Sequence, residues 1–386
     1  MIILILPITL LCLGVAGLYA YDLYIDALAP TVEPNAQLAS TGPLVSVLIP
    51  ARNEAARLGG CLEGLAQQTY RSFEVIVVDD HSSDGTAALA HSYAARLPSL
   101  AVLPGAALPA GWAGKCWACW QAAGRAQGEW LLFLDADVQP APDLLAAMIA
   151  HAEQRQLDLL TLLPLLRMGT LAERLVLPAF FALLVALYPL ARVSNPRSPI
   201  AFANGPCLMI RRTVYQALDG HRAVRASILE DTDLGQRVKA AGYPIAAAYA
   251  PELIAVRMYQ GWASLAEGLS KNAVAGYRSG GTRSAWVGFR QSLVAFAPGY
   301  VLGAGALLGW LWPSSALGPV LIAHGVALLF LALLSWGTLA KRRYQLAPWW
   351  GLLFPIGTAI YFGLAGWGLL RLRLGRGVTW KGRVFR

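Results

Sequence analysis

The stretch 129–138, EWLLFLDADV, constrains the fold of this chain more than any other. Trp130 to Leu134 form a continuous apolar run of strand length, and Asp135 and Asp137 follow at once. Aspartate is disfavoured inside strands, so the pair marks a strand's carboxyl end, the edge at which open α/β sheets bind ligands. With only Ala136 between them, the two carboxylates can face one divalent cation. Mg2+ or Mn2+ is commonly held by one or two carboxylates together with substrate phosphates. A polar turn closing a strand has the same local sequence, so the choice rests on the rest of the chain.

Upstream, the same device appears twice. Leu44 to Ile49 is a short β-branched run ending at Pro50, and Leu58, Leu62 and Leu65 follow at helical spacing. Phe73 to Val78 ends in Asp79-Asp80-His81-Ser82-Ser83-Asp84-Gly85, a polar loop suited to capping a helix. Leu100 to Leu103 reads as a third strand. A loop, Pro109 to Lys115, then leads into a helix to about Gln127. Strands alternating with helices at this spacing predict a mostly parallel sheet in a doubly wound α/β layer, with the polar loops on one edge.

Downstream, Leu157 to Leu163 and Ala201 to Arg212 read as further strands, the second with Asn204-Gly205 as a turn and entering a helix. Glu230, Asp231 and Asp233 gather where a helix begins that runs to Ala241 and stops at Gly242. The helix dipole stabilises acids there, and simple capping is the competing explanation.

With 56% hydrophobic and 14% charged residues the chain is too apolar for a wholly soluble protein. Residues 1–21 are expected to be a retained membrane anchor and 22–43 a linker to a catalytic domain over 44–285. Segments 293–312, 317–339 and 348–370 have spanning length, and 290–370 is expected to be a transmembrane or re-entrant bundle, with Pro355 making the last segment the candidate hairpin. Residues 171–193 could also span. A crossing there would put the later acids on the opposite side of the bilayer from Asp135, so an interfacial helix is expected. The net charge of +9 does not point to nucleic acid, because Arg371, Arg373, Arg376, Lys381, Arg383 and Arg386 form a basic tail over 371–386 suited to lipid headgroups.

Other patterns have plain readings. Cys116 and Cys119 have no second pair and lie at helical spacing among tryptophans, which favours packing over zinc. The five cysteines are scattered and odd in number, as in a reducing, cytoplasmic setting. His81, His91, His151 and His324 are too dispersed for a metal cluster. Gly111 to Gly114 lacks the spacing of a phosphate-binding Walker loop.

Taken together, VSVLIPARNE (45–54), VVDDHSSDG (77–85), the GWAGK loop, FLDADV and LEDTDLGQRVKAAGY (229–243) resemble family 2 glycosyltransferases with the GT-A fold, over about residues 44–280. Within that family, the GWAGK loop, Phe202-Ala203-Asn204-Gly205, the Gly220-His221 loop and Trp380-Lys381-Gly382-Arg383 are similar to the membrane-bound hopene-associated enzymes and, more distantly, to ceramide glucosyltransferases.

The resemblance implies an inverting, metal-dependent hexosyltransferase. It would move one sugar from a nucleotide-sugar, UDP-linked, to a membrane lipid such as a hopanoid, from a multi-pass position in the inner membrane with the catalytic domain in the cytoplasm. Pro50, Arg52, Glu54, Asp79, Asp80, Lys115 and Asp135 would bind the donor. Asp135 and Asp137 would hold Mg2+ or Mn2+. Asp231, beside Glu230, would be the general base, and His221, Gln260 and Trp262 would meet the acceptor. Processive members carry Gln-x-x-Arg-Trp, whereas here Arg257, Gln260 and Trp262 stand at the wrong spacing, so single-sugar transfer is favoured. A polysaccharide synthase, and a lipid-binding or transport protein with an inactive GT-A domain, are the alternatives.

Overall fold

A computed structural model of the chain describes residues 2–34, 40–97, 99–380 and 383–385, in two compact units. Helix α1 (Ile2–Ala27) belongs to an apolar helical unit made of Met1–Leu28, Met168–Leu187 and Tyr259–Arg386. The other unit, Ala29–Arg167 with Tyr188–Met258, carries the main sheet.

The sheet unit begins β1 (Val45–Ala51), α2 (Ala55–Ala66), β2 (Phe73–Asp79), α3 (Thr86–Ser92), β3 (Leu100–Pro104), α4 (Gly114–Arg125) and β4 (Trp130–Leu134). It continues with β5 (Val138–Pro140), α5 (Leu144–Gln154), β6 (Leu159–Leu163) and β7 (Leu165–Leu166). After α6 (Leu171–Leu187), which belongs to the helical unit, come α7 (Leu190–Val193), β8 (Cys207–Arg211), α8 (Arg212–Ala217) and α9 (Gly220–Ala223). The unit ends with α10 (Glu230–Ala240), β9 (Ile245–Tyr249) and β10 (Ile254–Val256).

The strand order is β3-β2-β1-β4-β8-β6-β9. Strands β3, β2, β1 and β4 run parallel, as do β6 and β9, while β8 is antiparallel to both its neighbours. All five residues of β4 are buried, which is why its sequence is continuously apolar rather than alternating. Helix α2 buries Leu58, Cys61, Leu62 and Leu65, one face at helical spacing. A second sheet, β5-β10-β7, is built from strands too short for periodicity to reveal.

The expected strand over 201–212 begins only at Cys207. Before it the chain is pinned without a ladder. The Asn204 amide donates to Thr161 Oγ1 at 2.8 Å, and its side-chain Nδ2 donates to the Leu162 carbonyl at 3.1 Å.

The helical unit adds α11 (Trp262–Leu311), α12 (Leu317–Tyr344), a 3₁₀ turn at Pro348–Leu353, α13 (Phe354–Arg373) and the hairpin β11 (Val378–Trp380) and β12 (Arg383–Phe385). Gly281, at φ 50° and ψ −131°, divides α11 at a kink that a side chain would resist. Helix α1 continues past the expected anchor to Ala27, because its acids are paired: Asp22 with Arg290, and Asp26 with Arg343 at 2.5 Å. Glu173, fully buried in the first turn of α6, accepts from the Gly169 and Gly261 amides at 2.7 and 2.9 Å.

Among the described residues, five helical segments are long and apolar enough to cross a membrane: Ile5–Ala27, Leu171–Val193, Gly281–Leu311, Leu317–Tyr344 and Pro348–Arg373. Pro355 lies in the first turn of α13, where its missing N–H costs nothing, and the helix runs on to Arg373 without reversing as a hairpin would. The sheet unit ends at Met258. Of the terminal motif, Lys381 and Gly382 lie outside the described residues.

Candidate active site

The acids arrive where the strand order predicts. Val77–Asp79 of β2 pairs with Ile49–Ala51 of β1, which places Asp79 and Asp80 beside the β1 loop. Strand β4 ends beside them and delivers Asp135, whose amide donates to the Pro206 carbonyl at 3.2 Å. Across β8, the first turn of α10 presents Glu230 and Asp231. One narrow recess is lined by Pro50, Lys115, Phe133, Asp135, Gly205, His221, Glu230 and Asp231, among others.

Lys115 joins the two sides. Its Nζ lies 2.8 Å from Asp135 Oδ1 and 2.9 Å from Glu230 Oε1. Burial alone would lower the lysine's pKa, but Asp135 and Glu230 outweigh it and hold the ammonium charged well above its ordinary range. For Glu230, burial pushes the pKa up and Lys115 more than offsets it, so this carboxylate titrates below its usual value. Asp231 differs: burial and the neighbouring Glu230 anion raise it to about 7, with Lys115 opposing. Adjacent carboxyls are thus separated into an anchored anion and a group able to take up a proton near neutrality.

Gly205 brings the backbone close to this pair. A Cβ there would lie 2.9 Å from Asp231 Oδ2 and 3.2 Å from Lys115 Nζ, so any larger residue in the turn would push one of these side-chain ends aside. His221 is buried in the recess wall. Its Nδ1 is 3.0 Å from the Tyr215 hydroxyl, its ring meets Phe133 edge-on, and burial lowers its pKa to about 4, so it is neutral.

The β1 and β2 loops are tied together beside the recess. Arg52 Nη1 donates to the Asp80 carbonyl at 3.2 Å and stands 3.6 Å from Asp80 Oδ2. Glu54 is buried, paired with Arg57 at 3.1 Å, and its amide donates to Thr86 Oγ1. Asp84, in the loop expected to cap the following helix, is the knot. Its Oδ1 accepts from the Thr86 amide and hydroxyl, while Oδ2 accepts from the Ala55 amide, so one carboxylate caps both α3 and α2. Asn53, at φ 52°, completes it by accepting from the Ser83 amide.

Asp79 Oδ1 is buried without a hydrogen-bond partner, a state expected of an atom whose partner is a ligand. Asp137 is half-buried beyond β4. No group of three or more His, Cys, Asp or Glu side chains able to hold a metal occurs among the described residues. Asp135 and Asp137 still fit a hard cation that draws its other ligands from water and phosphate, because Lys115 is paired with only one oxygen of Asp135. Gln260 and Trp262 belong to the helical unit. The Gln260 amide donates to Ser264 Oγ, and Trp262, at the start of α11, is exposed.

A mixed sheet with acids at adjoining strand ends and a helix bearing the facing acids defines a GT-A-like domain. Residues 46–218 match Glycosyl transferase family 2. It is 32% identical over 244 residues to 4,4'-diaponeurosporenoate glycosyltransferase of Staphylococcus aureus (strain MRSA252), covering 62% of each chain. The Staphylococcus haemolyticus (strain JCSC1435) counterpart is 29% identical over 238 residues, 61% of this chain. The chain therefore spans about 62% of the length of these relatives. Among solved structures, a mannosyltransferase of Pyrobaculum calidifontis, in complex with GDP-Man and Mn2+, aligns with a TM-score of 0.52 at 17% identity, covering 95% of this chain and 97% of its own. That likeness establishes the shared fold.

Proposed function

We propose that the protein transfers a single sugar from a nucleotide-sugar to a membrane lipid, with inversion, at a site formed by Asp79, Asp80, Lys115, Asp135, Asp137, Glu230 and Asp231. The observation that carries this reading is the ammonium of Lys115, which binds the donor-side Asp135 and the acceptor-side Glu230 within one recess. A structural turn would not need charges of both signs brought together at the meeting of two sheet halves.

In this reading the unpartnered Asp79 Oδ1, with Asp80, receives hydrogen bonds from the donor's base and ribose, UDP being the expected nucleotide. Asp135 and Asp137 would hold a divalent cation, which would supply charge neutralisation for the departing diphosphate. Asp231, held near neutrality, takes the proton from an acceptor hydroxyl. The freed oxygen pair forms the new bond at the anomeric carbon as the bond to the diphosphate breaks on the opposite face. Glu230 stays ionised and keeps Lys115 in place. His221, neutral and in the wall, contributes shape and a hydrogen-bonding edge on the acceptor side.

The five apolar segments support membrane association, and we place the sheet unit on the cytoplasmic side of the inner membrane, where nucleotide-sugars are made. For the acceptor, the relatives' name denotes a carotenoid acid, whereas the sequence resemblance suggests a hopanoid. The two differ chemically. A hydroxyl must lose a proton during attack, whereas a carboxylate arrives without one.

Proteoliposomes of the full chain, given labelled UDP- and GDP-sugars in turn with either lipid, test the reading. Label should enter a solvent-extractable lipid in a cation-dependent way. Label in a long polymer would instead mark a synthase, and absence of both donor binding and transfer would mark an inactive domain.

A further inference from the structure

Lys239, eight residues beyond the proposed base on the same helix, is the most heavily engaged ammonium in the sheet unit among the described residues. Its Nζ donates to the Val193, Ile200, Asn195 and Arg192 carbonyls at 2.6, 2.8, 3.0 and 3.3 Å. An ammonium has three donors, so one is shared, and every direction is used. These carbonyls come from the end of α7 and the turn beyond it, which leads directly into the strap 200–205.

The strap runs along one face of α10. Lys239 grips its start. Midway, Gly235 meets it so closely that a Cβ would lie 3.0 Å from Ala203 Cβ and 3.2 Å from the Ala203 nitrogen. Near the helix start, Thr232 Oγ1 donates to the Ala203 carbonyl at 3.2 Å. Residues 232, 235 and 239 follow the three-and-four spacing of a single helical stripe. The strap ends at Gly205, against Asp231 Oδ2 and Lys115 Nζ. The register set at Lys239 is therefore carried along α10 to the carboxyl that would take the proton.

We propose that Lys239 is a positioning residue: its four-carbonyl clamp fixes the strap 200–205 against α10 and so holds the Gly205 turn over Asp231. The consequence for turnover rests on the transferase reading above; the clamp itself does not. A lysine chosen for solubility would leave its ammonium in water, and one serving the helix dipole would need only the carbonyls of its own last turn. Here all four acceptors lie outside α10.

The test compares Lys239→Met and Lys239→Arg with the wild type, as full chains in proteoliposomes. The first readout needs no activity: tryptic cleavage after Arg197, an exposed residue in the clamped turn, should be at least about fivefold faster in Lys239→Met. The second is the kinetic split. Turnover should fall about tenfold while the donor KM stays within about twofold, since Asp79, Asp80 and Asp135 lie on the other half of the sheet. Lys239→Arg should be intermediate in both, because a planar guanidinium keeps the charge but cannot reach four convergent carbonyls.

Unchanged cleavage overturns the clamp. Faster cleavage with wild-type turnover overturns the positioning role, and so does a loss confined to donor KM. A wild type that transfers no label to any acceptor overturns the transferase reading instead, and the cleavage rate then decides the clamp alone. If Lys239→Met does not fold, Lys239→Arg carries the same comparisons.

Discussion

On the parallel side of the sheet, Asp79, Asp80 and Asp135 sit at the ends of strands, and Asp79 keeps a buried oxygen without a partner. Across the antiparallel strand β8, Glu230 and Asp231 sit in the first turn of a helix, with Lys115 on one and a glycine turn against the other. The first arrangement leaves acceptor atoms open for a ligand that brings its own donors and charge. The second uses burial and neighbouring charge to set proton affinity before any ligand arrives. On the proposed function, binding and proton transfer draw on different physical devices, and changes on each side should affect different constants.

The largest separation should come from Asp231→Asn set against Asp137→Ala. Loss of the base should lower turnover by about 10³-fold, within the range for general bases, while nucleotide binding persists. Asp137→Ala should instead weaken cation-dependent nucleotide binding, read by calorimetry with UDP and Mn2+. Equal damage to binding by both would break the division. With a carboxylate acceptor, Asp231→Asn should retain most activity, and that outcome would identify the acceptor class.

Gly205→Ala comes next, with turnover expected to fall about tenfold. The added methyl must displace either the Asp231 carboxylate or the Lys115 ammonium, both side-chain ends that can move, so loss should be partial and folding intact. A wild-type rate would show that the turn does not restrain Asp231.

The pH profile gives a smaller effect with a definite sign. Asp231 acts when ionised, so with a pKa of about 7 transfer should rise with pH, by about tenfold per unit well below 7, and level off above it. Glu230→Gln removes the anion that helps raise Asp231 and releases Lys115 toward it. Both changes lower the Asp231 pKa, so the acidic limb should move to lower pH, and a limb that stays in place would assign it to another group.

The contrast between the two sides also explains what the sequence could reveal. Strands β1, β2 and β4 were legible because a buried strand writes an apolar run and its end writes an acid. The acids of α10 were legible as a helix start. The strap was not, because 201–206 is apolar like a strand but spends its polar groups on Thr161 and Thr232 instead of a ladder. Lys239, and the second cap that Asp84 provides at α2, were hidden for a related reason. A surface lysine and a loop aspartate have no pattern until distant carbonyls and amides are brought to them.

Asp84 gives the smallest expected effect, and its value lies in where that effect should fall. Its carboxylate accepts from the first turns of both α2 and α3, so Asp84→Ala removes two helix caps at once. Each cap is worth about 1 kcal/mol in general, and solvent at this exposed residue can replace part of both. The folded chain should therefore lose about 1 kcal/mol, seen as a few degrees in thermal unfolding. The β1 and β2 loops that carry Arg52 and Asp80 should loosen, raising the donor KM by severalfold with turnover at saturation unchanged. Asp84→Asn keeps the acceptor oxygen facing Thr86 but not the second one facing Ala55, and should lie between. A fall in turnover without a change in donor KM would mean that the loops on the parallel side also reach the proton-transfer step, and the separation of binding from base would no longer hold.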